Sequence, residues 1–316
     1  MAIRAELRGV LTGFALVAAS ALFLARVDVG IPGQALLQSL QLHLAIPFLG
    51  LALLFALVRA YGRALLLVGL ALFAAGHVAL RVYAQHEARA PFAGLERQAE
   101  FTLLSFNVLY DNPEPEALAR YITGSGADVA VILEAAPLWP LRAEIDAVYP
   151  YRVGCDEALR CDLAVFSRFP LSNPQVRSLG ELRSNRLVTA GVEIGGTALT
   201  LVAAHLSKPY FDREGEYEAQ MLTRILRQIE GPLVLAGDFN AAPWSNAVDA
   251  MVRDAGLAPA PRHPATWPTR LGPLGIPIDH VLSRAPAIVE SIETTPEPFG
   301  SNHYGLLARI GVAATE

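Results

Sequence analysis

The chain has 316 residues, 53% of them hydrophobic and only 17% charged, with a formal net charge of −5. That balance excludes an intrinsically disordered chain and calls for membrane segments. Two cysteines exclude a disulfide-dense scaffold, and the acidic balance argues against a protein that tracks a polyphosphate backbone by charge.

The apolar excess lies at the start. Residues 9–25, 36–58 and 64–80 carry no charged side chain, and each approaches the roughly 20 residues that cross a bilayer as a helix. Three transmembrane helices are therefore expected, at about 9–25, 36–58 and 64–82. The first also fits a signal peptide, but two further apolar segments follow it at once and no small-residue cleavage site ends it. Arg4 and Arg8 precede the first segment, and Arg59 and Arg63 fill the turn between the second and third. The positive-inside rule puts these arginines in the cytoplasm. The expectation is a multi-pass cell (inner) membrane protein whose remaining chain lies on the periplasmic or extracellular side. His43 and His77 fall inside apolar segments and are assigned to helix packing or interfacial anchoring.

RVYAQHEARAPFAGLERQAE, residues 81–100, fits a linker or the end of a helix leaving the membrane. The organisation expected is an anchor over residues 1–98 and one folded domain over 99–316. Beyond residue 98 there are 17 basic and 26 acidic residues, a net of −9. Cys155 and Cys161, in GCDEALRCDLAVF, are close enough in an exported domain for a small-loop disulfide.

Within the domain, FTLLSFNVLY, DVAVILEA, DLAVFSR, LVTAGVEI, LTLVAAHLS, LVLAGDFNA, IDHVLS and YGLLARIGV read as strands. Helical periodicity appears in PEALARYITGSG, LRAEIDAVY, REGEYEAQMLTRILRQIE and NAVDAMVRDAG. Many strands with a few interspersed helices predict an α/β layered sandwich, two packed sheets with helices outside.

Most of these runs contain or end in a polar residue that a strand core would not select: Asn107, Glu134, His205, Asp238 with Asn240, Asp279, and Asn302 with His303. Singly, each has an ordinary structural reading as a turn former, a solvated edge or a hydrogen-bonded core histidine. As an ordered set they supply oxygen ligands and two imidazoles without a thiolate cluster, a mixture suited to Mg²⁺, with Mn²⁺ as the other candidate. Such an ion polarises a phosphoryl oxygen and acidifies water, while a carboxylate activates the water and a histidine offsets developing charge.

FNVLY, ILEA, AHLS, GDFNAAP, PIDHVL and SNHYG, in that order, resemble the successive motifs of the endonuclease/exonuclease/phosphatase superfamily over about residues 100–312. The resemblance implies a four-layer α-β-β-α sandwich of two mixed sheets and a divalent-metal phosphoesterase. By position Asn107, Glu134, Asp238, Asn240 and Asn302 would hold metal. Asp238 and Asn240 would also place and activate water, His205 would contact phosphate, and Asp279 would orient His303. Either Asp238 or His303 would serve as general base. The family motif ends Ser-Asp-His, whereas this chain has Ser301, Asn302 and His303, so one carboxylate is replaced by an amide.

Three apolar spans ahead of an exported domain resemble the membrane-bound VanJ-like branch, linked to undecaprenyl pyrophosphate hydrolysis. That implies a lipid phosphate or pyrophosphate as substrate, with a nuclease and a non-catalytic sensor of phosphorylated ligands as the alternatives. Lys208, the only lysine, and Tyr210 are further candidates for substrate contact, and Trp267 for lining the cleft or propping the loop before Asp279.

Overall fold

A computed structural model describes residues 2–92, 96–157, 161–181 and 183–313. The chain opens with α1 (Ala2–Arg26), α2 (Gln34–Ser39), α3 (Ala45–Leu57) and α4 (Tyr61–Glu87). Among the described residues only α1 and α4 are long and apolar enough to cross a membrane.

The expected middle span over 36–58 is corrected. It is broken into α2, a run of turns over residues 40–44, and α3. Starting α3 at Ala45 puts Pro47 in the first turn, where its missing N–H costs no helical hydrogen bond. The 13 residues of α3 rise about 20 Å, short of the ~30 Å hydrocarbon core. The polar residues upstream have structural partners: Gln34 Nε2 donates to Leu24 O at 2.7 Å, and Gln41 Nε2 donates to Ala74 O at 3.0 Å. Irregular backbone of this kind persists beside a membrane only where protein satisfies it.

The segment expected as a linker or helix end begins with the last two turns of α4 and ends in β1, and its helical part is packed against the folded domain. Arg81 donates to Trp244 O at 2.7 Å and Gln85 Nε2 to Pro243 O at 2.8 Å. Val78 is buried with Trp244, Ile276 and Ile278. Residues 93–95 of that segment lie outside the described residues.

The rest of the chain supplies β1 (Arg97–Asn107), α5 (Pro115–Gly124), β2 (Val129–Leu133), α6 (Arg142–Asp146), β3 (Tyr151–Gly154) and β4 (Leu163–Ser167). Then come β5 (Ser172–Arg177), β6 (Leu187–Ile194), β7 (Thr197–His205), α7 (Glu214–Gln228), β8 (Leu233–Asp238) and α8 (Asn246–Asp254). The last strands are β9 (Ala258–Pro259), β10 (Asp279–Arg284), β11 (Ala287–Thr294) and β12 (Leu306–Ala313). They form two mixed sheets of order β11-β12-β1-β2-β4-β3 and β5-β6-β7-β8-β10-β9.

Strand alternation explains the layering. Leu103, Val131, Leu201 and Val234 point between the sheets into one core. Their neighbours Val202 and Leu235 meet α7 and α8 through Leu222, Leu226 and Met251. Leu104 and Ile132 likewise meet α5 and α6 through Leu118, Ile122 and Ile145. Strands apolar on both faces are what burial between a sheet and a helix layer requires.

The two sheets repeat one topology. Each contains a parallel pair joined by a crossover helix, β1-α5-β2 and β7-α7-β8, and each has an antiparallel strand beside the second member, β4 and β10. The carboxyl ends of both parallel pairs carry Asn107, Glu134, His205 and Asp238, where layered α/β folds gather ligands. Cys155 and Cys161 are joined as a disulfide at the foot of β4; residues 158–160 between them lie outside the described residues.

Candidate active site

Asp238 ends β8 fully buried, and around it the other motifs converge. Gly237 before it lets β7 pass: a Cβ there would lie 1.9 Å from Ala204 O, and its φ is 151°. Asn240, at φ 50°, donates its backbone N–H to Asp238 Oδ1 at 2.8 Å and its side-chain amide to Leu206 O at 2.9 Å. The tight turn after β8 thus turns Asp238 inward and ties it to the strand that carries His205.

Across the seam between the sheets, Asn107 at the end of β1 donates its amide to Asp238 Oδ2 at 3.0 Å and to Glu134 Oε1 at 3.3 Å. Glu134, at φ 54°, takes the Tyr110 backbone N–H on Oε2 at 2.8 Å. Lys208 Nζ is 3.8 Å from Glu134 Oε1, so this lysine reaches the cluster.

Two imidazoles flank Asp238. His205 Nε2 and His303 Nε2 each lie 3.9 Å from Asp238 Oδ2. His303 Nδ1 is held by Asp279 Oδ2 at 2.8 Å, the pairing expected from the motifs. Register explains it, because Asp279 opens β10 directly opposite Asp238. Ser301 Oγ donates to Asn107 O at 2.7 Å and accepts from His303 N at 3.0 Å, fixing the terminal motif to β1.

The backing of His205 was missed at the level of sequence. Asp162 accepts from His205 Nδ1 at 2.9 Å and pairs with the buried Arg186 Nε at 3.1 Å. Asp162 stands just before β4 opposite Glu134, as Asp279 stands opposite Asp238, so the repeated topology places an aspartate at the same position in each half. The signal was present: a carboxylate immediately ahead of the apolar run LAVFS.

Burial pushes the Asp238 carboxyl above its ordinary range, and the nearby Asp279 charge adds to this. Burial works against charge on His303, but the Asp279 and Asp238 carboxylates outweigh it and hold its pKa above the usual histidine value. Burial alone would raise Asp162, yet the hydrogen bond and charge of His205 and the charge of Arg186 leave it below the usual carboxylate range.

Carboxylate, amide and imidazole donors without a thiolate fit a hard divalent cation. Ligating atoms of Asp238, Asp279 and His303 lie within 4.8 Å of one another, and Asp279 Oδ1 is buried without a hydrogen-bond partner. Asn302 stands apart: its backbone oxygen accepts from Thr269 N at 3.1 Å, and its Oδ1 is buried without a partner. Trp267 props the loop before Asp279 by bridging to Ile276, and His280 is structural, stacked on Phe239 and donating to Ala241 O at 2.8 Å.

The sequence profile described as Endonuclease/Exonuclease/phosphatase family matches residues 104–303, which span every motif just placed. The chain belongs to the endonuclease/exonuclease/phosphatase family. Solved structures of similar fold include the endonuclease/exonuclease/phosphatase from Bacteroides vulgatus, 18% identical with a TM-score of 0.55, covering 67% of this chain and 99% of that one. A humanized D. rerio TDP2 is 19% identical with a TM-score of 0.53, covering 67% and 98%. The human Nocturnin catalytic domain is 17% identical with a TM-score of 0.53, covering 69% and 96%. No curated protein matches the chain. The family match begins beyond the helices α1 to α4, so the endonuclease/exonuclease/phosphatase domain of this chain carries them as an addition to its own fold.

Proposed function

We propose that the protein is a membrane-anchored phosphoesterase, dependent on a divalent cation, Mg²⁺ in the first instance, that hydrolyses a lipid phosphate or pyrophosphate. The observation that carries the reading is the buried Asp238 carboxylate set between two imidazoles, each backed by its own aspartate, with Glu134 and Asn107 opposite.

Glu134, Asp238 and Asn107 are the residues that would hold the cation, with Asn240 beside them. When bound, it would polarise the phosphoryl group and offset its charge. The protein supplies the rest. Asp238, held by Asn240 N–H and the Asn107 amide, orients an attacking water. Its raised proton affinity suits it to take up the proton that water loses. Asp162 and Asp279 accept from Nδ1–H of His205 and His303, which turns each Nε2 toward the phosphoryl group, and the two carboxylates that raise the pKa of His303 favour the imidazolium that donates from its Nε2. Lys208 adds a positive charge at the mouth of the cleft.

The lipid assignment is supported by the two long apolar helices and by the domain's net charge of −9, which disfavours long nucleic acids. Placing the site within a short distance of a bilayer raises the effective concentration of lipid head groups. Arg8 Nη2 donates to Val58 O at 2.8 Å, so α3 returns the chain to the start of α1 before α4 leads away again; with the arginines at residues 4, 8, 59 and 63 on the cytoplasmic side, the domain then faces the periplasm or exterior.

The full-length chain, assayed with Mg²⁺ against a prenyl pyrophosphate, a phospholipid and plasmid DNA, tests the reading. Turnover of a lipid substrate is expected. Turnover of DNA alone would make the chain a nuclease, and phosphate binding without turnover would make it a sensor.

A further inference from the structure

Among the described residues beyond Phe92, seven large apolar or aromatic side chains are exposed, and four of them, Tyr110, Phe211, Leu271 and Leu274, sit on the loops that carry the active site. Tyr110 follows Asn107 and is bonded through its N–H to Glu134. Phe211, 88% exposed, lies six residues past His205. Leu271 and Leu274 project from the loop that leads into Asp279, whose Thr269 N–H is bonded to Asn302 O. A soluble enzyme has no use for a ring of exposed apolar groups around a polar cleft.

The same loops rest on the segment between α1 and α3. A Cβ on Gly33 would sit 3.4 Å from Tyr210 O, and His43 Nε2 donates to Leu274 O at 2.8 Å. Ser39 Oγ accepts from Ala242 N at 3.0 Å, in the loop after Asn240. That segment lies level with Ala74 of α4, through the Gln41 bond, and Leu72 before this level and Leu80 beyond it are both exposed. The apolar rim is therefore continuous with the lipid-facing surface of the anchor, and Lys208 and the exposed Arg270 flank it as interfacial cations do.

We infer that Phe211, Leu271 and Leu274 dip into the bilayer surface, so that the active site opens onto the membrane plane and receives its substrate's head group from below while the apolar tail stays in lipid. This rests on α1 and α4 spanning the membrane.

Because Cys155 and Cys161 are bonded to each other, a single introduced cysteine labels uniquely. Full-length F211C and L274C, labelled with bimane in phosphatidylcholine/phosphatidylglycerol nanodiscs, should lose fluorescence when the lipids carry a doxyl group near the glycerol. L72C on α4 should also be quenched, and V176C on β5 should not. Quenching at 72 with none at 211 or 274 overturns the inference alone; none at 72 overturns the membrane reading with it. As a second measurement, F211S/L271S/L274S should lose about tenfold or more of its turnover of a bilayer-embedded phosphate while keeping that of a water-soluble phosphate ester. An equal loss on both would also refute it.

Discussion

Asp162 and His205 meet at 2.9 Å across the two sheets, and the pair repeats, in the other half of the molecule, the 2.8 Å contact of Asp279 with His303. Asp238 lies between the two imidazoles, 3.9 Å from each Nε2. The candidate site is thus built by applying one topological rule twice: an aspartate at the opening of the antiparallel strand holds the Nδ1 of a histidine that belongs to the other sheet.

Asp162→Asn tests the missed member of this arrangement. The amide keeps the shape but removes the charge that holds the His205 proton on Nδ1 and that neutralises buried Arg186. Turnover should fall about tenfold to a hundredfold, in kcat rather than KM, since binding groups remain in place. A steady-state comparison with the native chain reads it.

The side-chain oxygen of Asn302 is buried without a hydrogen-bond partner, as is Asp279 Oδ1. Asn302→Asp restores the family's carboxylate and adds a formal charge between Ser301 and His303, whose bonds anchor the motif. Mg²⁺ affinity should rise several-fold by titration calorimetry; an unchanged affinity would mark the position as peripheral to the cation.

How far the sequence carried this picture differs by element. The six motifs named six residues that converge on Asp238, because each lies at or near a strand end and strand ends are legible from apolar runs bounded by Gly, Pro or polar residues. The carboxylate of Asp162 ahead of LAVFS is visible in the sequence, but its role depends on β4 pairing antiparallel to β2, a long-range register that the local pattern does not encode. The middle membrane segment was misread for a related reason. Gln38, Ser39 and Gln41 look like defects in a transmembrane helix, and become intelligible only when Asn246, Ala242 and Ala74 are seen to use them. Hydropathy counts apolar residues, but it does not see which polar ones have found partners.

That docking gives a prediction of its own. Gln38→Ala with Ser39→Ala removes the acceptors for Asn246 N and Ala242 N, at 3.0 Å each. Leaving buried N–H groups unpaired costs about 1 to 3 kcal/mol apiece. The amides of residues 242 and 246 should exchange hydrogen markedly faster, with the strands of both sheets unaffected.

Stability should fall on acidification through His280. Burial lowers its pKa to about 4 from an ordinary value of 6.5, so between those limits the unfolded chain takes up a proton that the folded one refuses. Stability is therefore lost as pH falls through this window, by on the order of 3 kcal/mol once the folded pKa is passed. His280→Gln, which keeps a donor for Ala241 O, should flatten the pH dependence of thermal unfolding across the same range.

The measurement that bears most directly on the central claim is Mg²⁺-dependent phosphate release from a prenyl pyrophosphate in nanodiscs, by the full-length chain and by Asp238→Asn. Asp238 is fully buried and resists ionisation, so the amide should leave the melting temperature unchanged or higher while turnover drops by about a thousandfold. Turnover in Asp238→Asn equal to that of the native chain, or native turnover that persists when the cation is chelated, would contradict the account.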